Sequence, residues 1–201
     1  MVKLLIATGN PGKISMFKDM VKDISDIEFL FLSDFKDIPM SPSEDGATPE
    51  ENALLKAKYY SEHYNIPALA DDAGFEIDEL GGEPGIMARR WGGLFPDTIK
   101  DDDWIDFYLN KTRNIGGEFL HASFPFSRCI YMPDGRYFFQ SDKIRFLLSR
   151  EPRFPFKEGW PISALRVFED GRHEMDIPFD DPVWEEQLNT KGLFELLDNL
   201  R

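Results

Sequence analysis

Leu4-Leu5-Ile6-Ala7-Thr8-Gly9-Asn10-Pro11-Gly12-Lys13 is an apolar run that stops at a turn, and how it stops decides the fold. Four apolar residues in succession suit a strand, Leu4–Ala7, buried on both faces. Asn10 is an N-cap residue type and Pro11 suits a first helical position, so a helix opens at once. Ile14, Phe17, Met20 and Val21 carry that helix at the right spacing. Buried strand, tight turn, helix: this is the opening of an α/β protein.

The rest of the chain agrees. Ile27–Leu32 reads as a second strand, and Ser33–Ala47, rich in Pro, Ser, Asp and Glu, as a loop. Thr48–Tyr64 is the clearest helix: Thr48 as N-cap, Pro49 at the first position, Glu51 completing a capping box, and Ala53, Ala57, Tyr60 and Tyr64 on one face. Pro67–Ala70 predicts a strand ending in Asp71-Asp72-Ala73-Gly74. Phe75–Leu80 continues briefly before the Gly81–Gly85 turn. A third helix is expected over Asp97–Thr112. Phe119–Met132 and Tyr137–Ser149 form a hairpin about Pro133-Asp134-Gly135-Arg136. Ser163–Phe168 and Glu174–Ile177 suggest a second hairpin, and Val183–Leu200 one closing amphipathic helix. The order of elements predicts an α/β fold, a mixed sheet with flanking helices, in one domain over residues 1–201.

With 23 Lys and Arg against 37 Asp and Glu, the formal charge is −14. Such a surface repels nucleic acid and anionic membranes. A small polyanion can still bind where local cations or a metal reverse the field. One cysteine, Cys129, excludes an internal disulfide and a thiolate zinc cage. The N-terminal apolar stretch is too short for a signal peptide, and no run reaches a membrane span. A soluble, cytoplasmic protein is expected.

Three groups of residues carry chemistry. Thr8, Gly9, Asn10, Pro11, Gly12 and Lys13 lie between strand and helix, where free N–H groups and a lysine attract phosphate. The alternative is an ordinary strand-to-helix turn. It is not a Walker A loop, which needs Gly at position 7 and Ser or Thr at position 14, where Ala7 and Ile14 stand. The second group is acidic: Glu44, Glu51, Asp71 and Asp72. Neighbouring side chains in a strand point to opposite faces, so Asp71 and Asp72 cannot both meet one ligand in a regular strand. A few carboxylates plus phosphate oxygens suit Mg2+, whereas a capping-box Glu51 needs no metal. The third group is basic: Lys56, Arg89 and Arg90. These either cradle phosphate or balance local charge. His63, His121 and His173 have no metal-like spacing, and nothing marks a nucleophile.

Taken together these residues resemble the inosine triphosphate pyrophosphatase family. Ala7 to Lys13 is similar to its opening motif. Glu44-Asp45-Gly46-Ala47-Thr48, followed by Glu51-Asn52-Ala53 and Lys56-Ala57, is similar to its second. Ala70 to Asp78 is similar to its third, with Ala73 where the family usually has Ser. Pro84-Gly85-Ile86 through Arg90-Trp91 is similar to its fourth. The four occur in the family's order over the first half of the chain.

The resemblance implies a long twisted mixed sheet with two lobes around a central cleft. It implies cleavage of a nucleoside triphosphate, usually ITP, dITP or XTP, to monophosphate and pyrophosphate, by a homodimer. Thr8 to Lys13 and Lys56 would bind phosphates. Glu44 and Asp72 would hold Mg2+, with Mn2+ as an alternative ion and Asp71 and Glu51 as further candidate ligands. Asp72 would also orient or deprotonate the attacking water. Arg90, Ala73, Trp160 and Lys191 are the candidates for the nucleobase and the rest of the substrate.

The sequence also departs from the pattern. Met16 replaces a frequent Glu, and Pro49 a common Phe. The later Gly-Phe-Gly-Tyr-Asp-Pro motif is replaced by Gly159-Trp160-Pro161-Ile162-Ser163, in which Trp160 supplies an aromatic face. Ser-His-Arg-Gly is replaced by Asn189-Thr190-Lys191-Gly192, with Lys191 as the stand-in for Arg. Two other readings stand beside this one: a catalytically weak nucleotide-binding or regulatory protein, which the losses favour, and a hydrolase of another phosphorylated metabolite in the same cleft. The base preferred and the choice between ribose and deoxyribose are not written in the sequence.

Overall fold

The computed structural model describes residues 1–96 and 98–201. They form two compact units, one comprising Met1–Ala73, Phe126–Asp142 and Glu185–Arg201, the other Gly74–Pro125 and Lys143–Trp184.

In the first unit β1 (Val2–Ile6) pairs in parallel with β2 (Ile27–Phe31) and β3 (Ala68–Ala73). β3 pairs antiparallel with the second half of β6 (Leu120–Tyr131), and β7 (Tyr137–Leu148) lies beside β6. The pleat sorts the apolar side chains onto two faces. Leu4, Ile6, Leu69 and Ile130 pack with Phe17 and Met20 of α1 (Pro11–Val21) and Leu193 and Leu196 of α5 (Thr190–Leu197). Leu5, Ala7, Ala68, Ala70 and Cys129 pack with Ala53, Ala57 and Tyr60 of α2 (Pro49–Tyr64). A mixed sheet with helices on both faces is therefore present, as expected.

In the second unit the first half of β6 pairs with β4 (Phe75–Ile77), which pairs with β5 (Pro84–Gly85), while β7 pairs with β8 (Arg166–Val167). Phe75, Trp91, Phe124 and Phe146 pack there with Trp104, Ile105 and Tyr108 of α3 (Asp101–Thr112). The third helix thus starts at Asp101; the expected start at Asp97 lies outside the described residues.

Two expectations are corrected. The closing helix is not continuous: α4 (Val183–Gln187) and α5 are separated at Asn189, whose φ is 43°. Its side chain caps α5 by accepting from the Gly192 N–H at 2.9 Å. Arg128 takes the carbonyls of Leu188 and Asn189 at 2.8 and 3.2 Å, so a side chain helps hold the backbone at the break, while the Asn189 carbonyl also accepts the Leu193 N–H of α5 at 3.2 Å. The second hairpin shrinks to β8 and a single Val167–His173 bridge, and Glu174–Asp176 is a 3-10 turn. His173 Nδ1 accepts the Met175 N–H, and Glu174 turns inward to meet Lys157 at 2.8 Å and Arg166 at 3.4 Å. That ion triad takes the place of a strand ladder.

Candidate active site

β3 is the axis of the site. It runs regularly to Ala73, so Asp71 continues the Leu69 face toward α1 and Asp72 continues the Ala68 and Ala70 face toward α2. On the side facing β1, Pro67, just before the strand, and Leu69 accept the N–H groups of Leu5 and Ala7 at 2.9 and 2.7 Å. At the next rung β1 has ended and the chain turns at Thr8. The Asp71 carbonyl there takes ammonium protons from Lys56 at 2.9 Å and Lys13 at 3.2 Å. Two lysines from two helices thus converge where a strand would otherwise pair.

The turn itself is locally determined. Asn10 Oδ1 accepts from the N–H groups of Gly12 and Lys13 at 2.8 and 3.2 Å, and Pro11 occupies the first helical position. The Thr8 hydroxyl accepts the Asn10 N–H at 3.2 Å. Lys13 then lies one turn into α1 and pairs with the Asp71 carboxylate. Burial opposes the charge on Lys13, but Asp71 outweighs it and raises the ammonium above the ordinary lysine value, with Asp72 and Glu44 adding to the effect. Burial also opposes ionisation of Asp71, yet Lys13 and Arg128 hold its carboxyl below the usual range.

On the opposite face Asp72 has one partner per oxygen. Lys56 reaches Oδ1 at 3.0 Å and Asn52 Nδ2 reaches Oδ2 at 3.1 Å. Lys56 also pairs with Glu44 at 3.2 Å, so one ammonium sits between the two carboxylates. Asn52 and Lys56 are one helical turn apart on α2 and share its inner face.

Thr8, Gly9, Asn10, Lys13, Glu44, Lys56 and Asp72 line one cavity of about 360 Å³, joined by Ala7, Ser41 and Tyr60. Pro11 and Gly12 form the first turn beside it. Asp71 and Glu51 have other partners. Asp71 lies against Lys13, with Arg128 Nε at 3.8 Å. Glu51 accepts the Ala47 N–H at 2.6 Å while its own N–H goes to Thr48 at 3.3 Å, a capping box shifted by one residue. Ala73 ends β3. Lys191 is exposed on α5 and pairs with Glu195 at 3.8 Å. Arg90 and Trp160 belong to the second unit, where Trp160 packs on Phe124 with ring centroids 5.3 Å apart.

Four site residues were missed in the sequence. Asn52 stood inside a quoted motif, four residues before Lys56, and that spacing was its signal. Tyr60, four residues after Lys56, was assigned only to the core. Burial pushes its phenol up, which favours the neutral hydroxyl. Ser41 itself gave no signal within its polar loop. Arg128 is a lone cation in an apolar strand, directly opposite Asp71 in the register. It is 2% exposed and bonds Gln140 at 2.9 Å besides the two carbonyls before α5.

The donor set offered to a cation is two carboxylates, Glu44 and Asp72, already converging on one positive charge. Among the described residues no three His, Cys, Asp or Glu side chains gather to chelate a metal by themselves. This fits Mg2+, which is commonly held by one or two carboxylates with phosphate and water oxygens completing its shell.

Comparison with known proteins identifies the family. The model of the Ham1 family matches residues 4–160. A dITP/XTP pyrophosphatase of Thermus thermophilus is 36% identical over 152 residues, covering 76% of this chain and 70% of that protein. One from Symbiobacterium thermophilum is 30% identical over 181 residues, covering 89% and 85%. The solved structure of the Staphylococcus aureus Ham1 protein has the same fold, with a TM-score of 0.74 at 22% identity, covering 99% of this chain and 100% of that one. The residues that line the cavity all lie within the matched stretch, and Lys191 lies after it. This chain belongs to the Ham1 family.

Proposed function

We propose that this protein hydrolyses nucleoside triphosphates, of the dITP and XTP type named for its relatives, to the monophosphate and pyrophosphate. The observation that carries the proposal is the single cavity in which the α1 N-terminus, Lys13 and Lys56 face Glu44 and Asp72. Lys13 binds the phosphates beside the positive end of α1, whose first N–H groups are capped by Asn10, and Lys56 adds charge where it develops as the α–β bridging bond breaks. Asp72 accepts the proton of the attacking water. Each of its oxygens keeps a lone pair beyond the bonds to Lys56 and Asn52. Mg2+, or Mn2+ in its place, would be held by Glu44 and Asp72 and supplies charge neutralisation of the phosphates when bound. The reaction needs no covalent intermediate with the chain; positioning and charge suffice.

A cytoplasmic homodimer belongs to the same proposal, and light scattering tests the dimer. The decisive experiment is a panel of ITP, dITP, XTP, ATP and GTP with Mg2+, assayed separately for pyrophosphate and orthophosphate. Pyrophosphate is expected from the deaminated purines, with a loss of about 10²–10⁴-fold in Asp72→Asn. Orthophosphate alone, or no product from any triphosphate, refutes it.

A further inference from the structure

Asn52 bonds two parts of the site that are distant in sequence. Its Oδ1 accepts the Gly46 N–H at 2.8 Å, and its Nδ2 donates to Asp72 Oδ2 at 3.1 Å. Gly46 stands two residues after Glu44, and Asn52 is itself only 4% exposed. One planar amide therefore ties the loop that carries Glu44 to the carboxylate of Asp72, and its two ends have different duties. The fit at Gly46 is close: a Cβ there would lie 2.6 Å from Asn52 Oδ1 and 2.7 Å from Glu51 Cβ. Gly46 has no positive φ, so space, not backbone conformation, excludes a side chain.

We propose that Asn52 is a positioning residue that sets the spacing of the Glu44 and Asp72 carboxylates, and with it the fit of a divalent cation between them. The inference rests on the reading of those two carboxylates as the cation's holders. Partners that orient the groups around a metal typically account for about 10–100-fold in affinity, without touching the ion. Lys56 alone does not fix this spacing. Its flexible stem follows either carboxylate, whereas the Asn52 amide has one orientation that serves both bonds.

The test uses the full chain, with Mn2+ counted by its EPR signal in the presence of α,β-methylene-dITP, which cannot be split at that bond. Asn52→Ala is expected to weaken Mn2+ uptake about 10–100-fold. The Gly46 amide is expected to exchange its hydrogen about tenfold faster in the same variant. Gly46→Ala keeps the Asn52 side chain but drives a Cβ against its Oδ1, disturbing the link between the loop and Asp72, and it too should weaken Mn2+ uptake. That variant decides the matter if Asn52→Ala fails to fold. Faster exchange at Gly46 with unchanged Mn2+ affinity in both variants overturns the inference, because Asn52 would then only hold the loop. Wild-type protein that takes up no Mn2+ overturns the reading of the site, and this inference with it.

Discussion

Lys56→Met keeps the aliphatic stem and removes one charge, and the structure sets the size of the effect. The ammonium touches Asp72 Oδ1 at 3.0 Å, Glu44 at 3.2 Å and the Asp71 carbonyl at 2.9 Å. Removing one partner of a buried ion pair costs about 3–5 kcal/mol, mainly because the other charge is left uncompensated. Three features put this case at the lower end. Asp72 keeps the Asn52 amide, the Asp71 carbonyl keeps Lys13, and Glu44 is 39% exposed and can be solvated. A loss of about 3 kcal/mol in a chain of this size is about 6–12 °C in Tm. Urea unfolding of wild type and variant measures it, and the Asp72→Asn double-mutant cycle isolates the pair. Added Mg2+ should recover part of the loss, since a divalent cation is expected between the same two carboxylates. kcat should fall about 10²–10³-fold, as for loss of one donor to developing charge. A stability loss below about 1 kcal/mol, the size of an exposed pair, would refute the reasoning.

Other expectations follow from the same network. Arg128→Met takes a donor from the Leu188 and Asn189 carbonyls and from Gln140 and removes one of the cations facing Asp71, and should cost about 3–5 kcal/mol in urea unfolding. Asp71 has a folded pKa below its unfolded value of about 3.9, so its contribution is complete above that pH and is lost as pH falls through the folded value. Asp71→Asn should flatten the acid side of the stability–pH curve. Lys13 is shifted upward, so its contribution holds below about pH 10.4 and fades as pH rises through the folded value, a fade that Lys13→Met should abolish. Gly192→Ala would set a Cβ 2.7 Å from Asn189 Oδ1 and 2.8 Å from Gln140 Nε2, and should destabilise by about 1–3 kcal/mol by calorimetry.

The parts of the fold legible in the sequence are those with local causes. Thr48, Pro49 and Glu51 specify the start of α2 within a few residues, as Asn10 and Pro11 do for α1, and the β6–β7 turn is carried by Asp134 and Gly135. The opposite facing of Asp71 and Asp72 followed from the pleat alone. What the sequence hid depends on distant partners. The break between α4 and α5 needs Arg128, sixty residues earlier, to take the Leu188 carbonyl. The inward turn of Glu174 needs Lys157, 17 residues away. Asn52 looks like any helix-surface amide until Asp72, 20 residues on, is folded against it. Glu51 illustrates the converse: a carboxylate with two readings, whose local one is the bond actually made.

The uncovered end of β3 bears on association as well as on chemistry. A bare carbonyl at the tip of a strand invites another chain to extend the sheet, and charged lysines are a common deterrent. Here the two ammonium groups to which phosphate binding is assigned in the proposed function also occupy the acceptor that an incoming strand would need. On that proposal solubility and substrate affinity draw on the same pair of side chains, so a variant stripped of both should be not merely inactive but prone to cluster with its own copies.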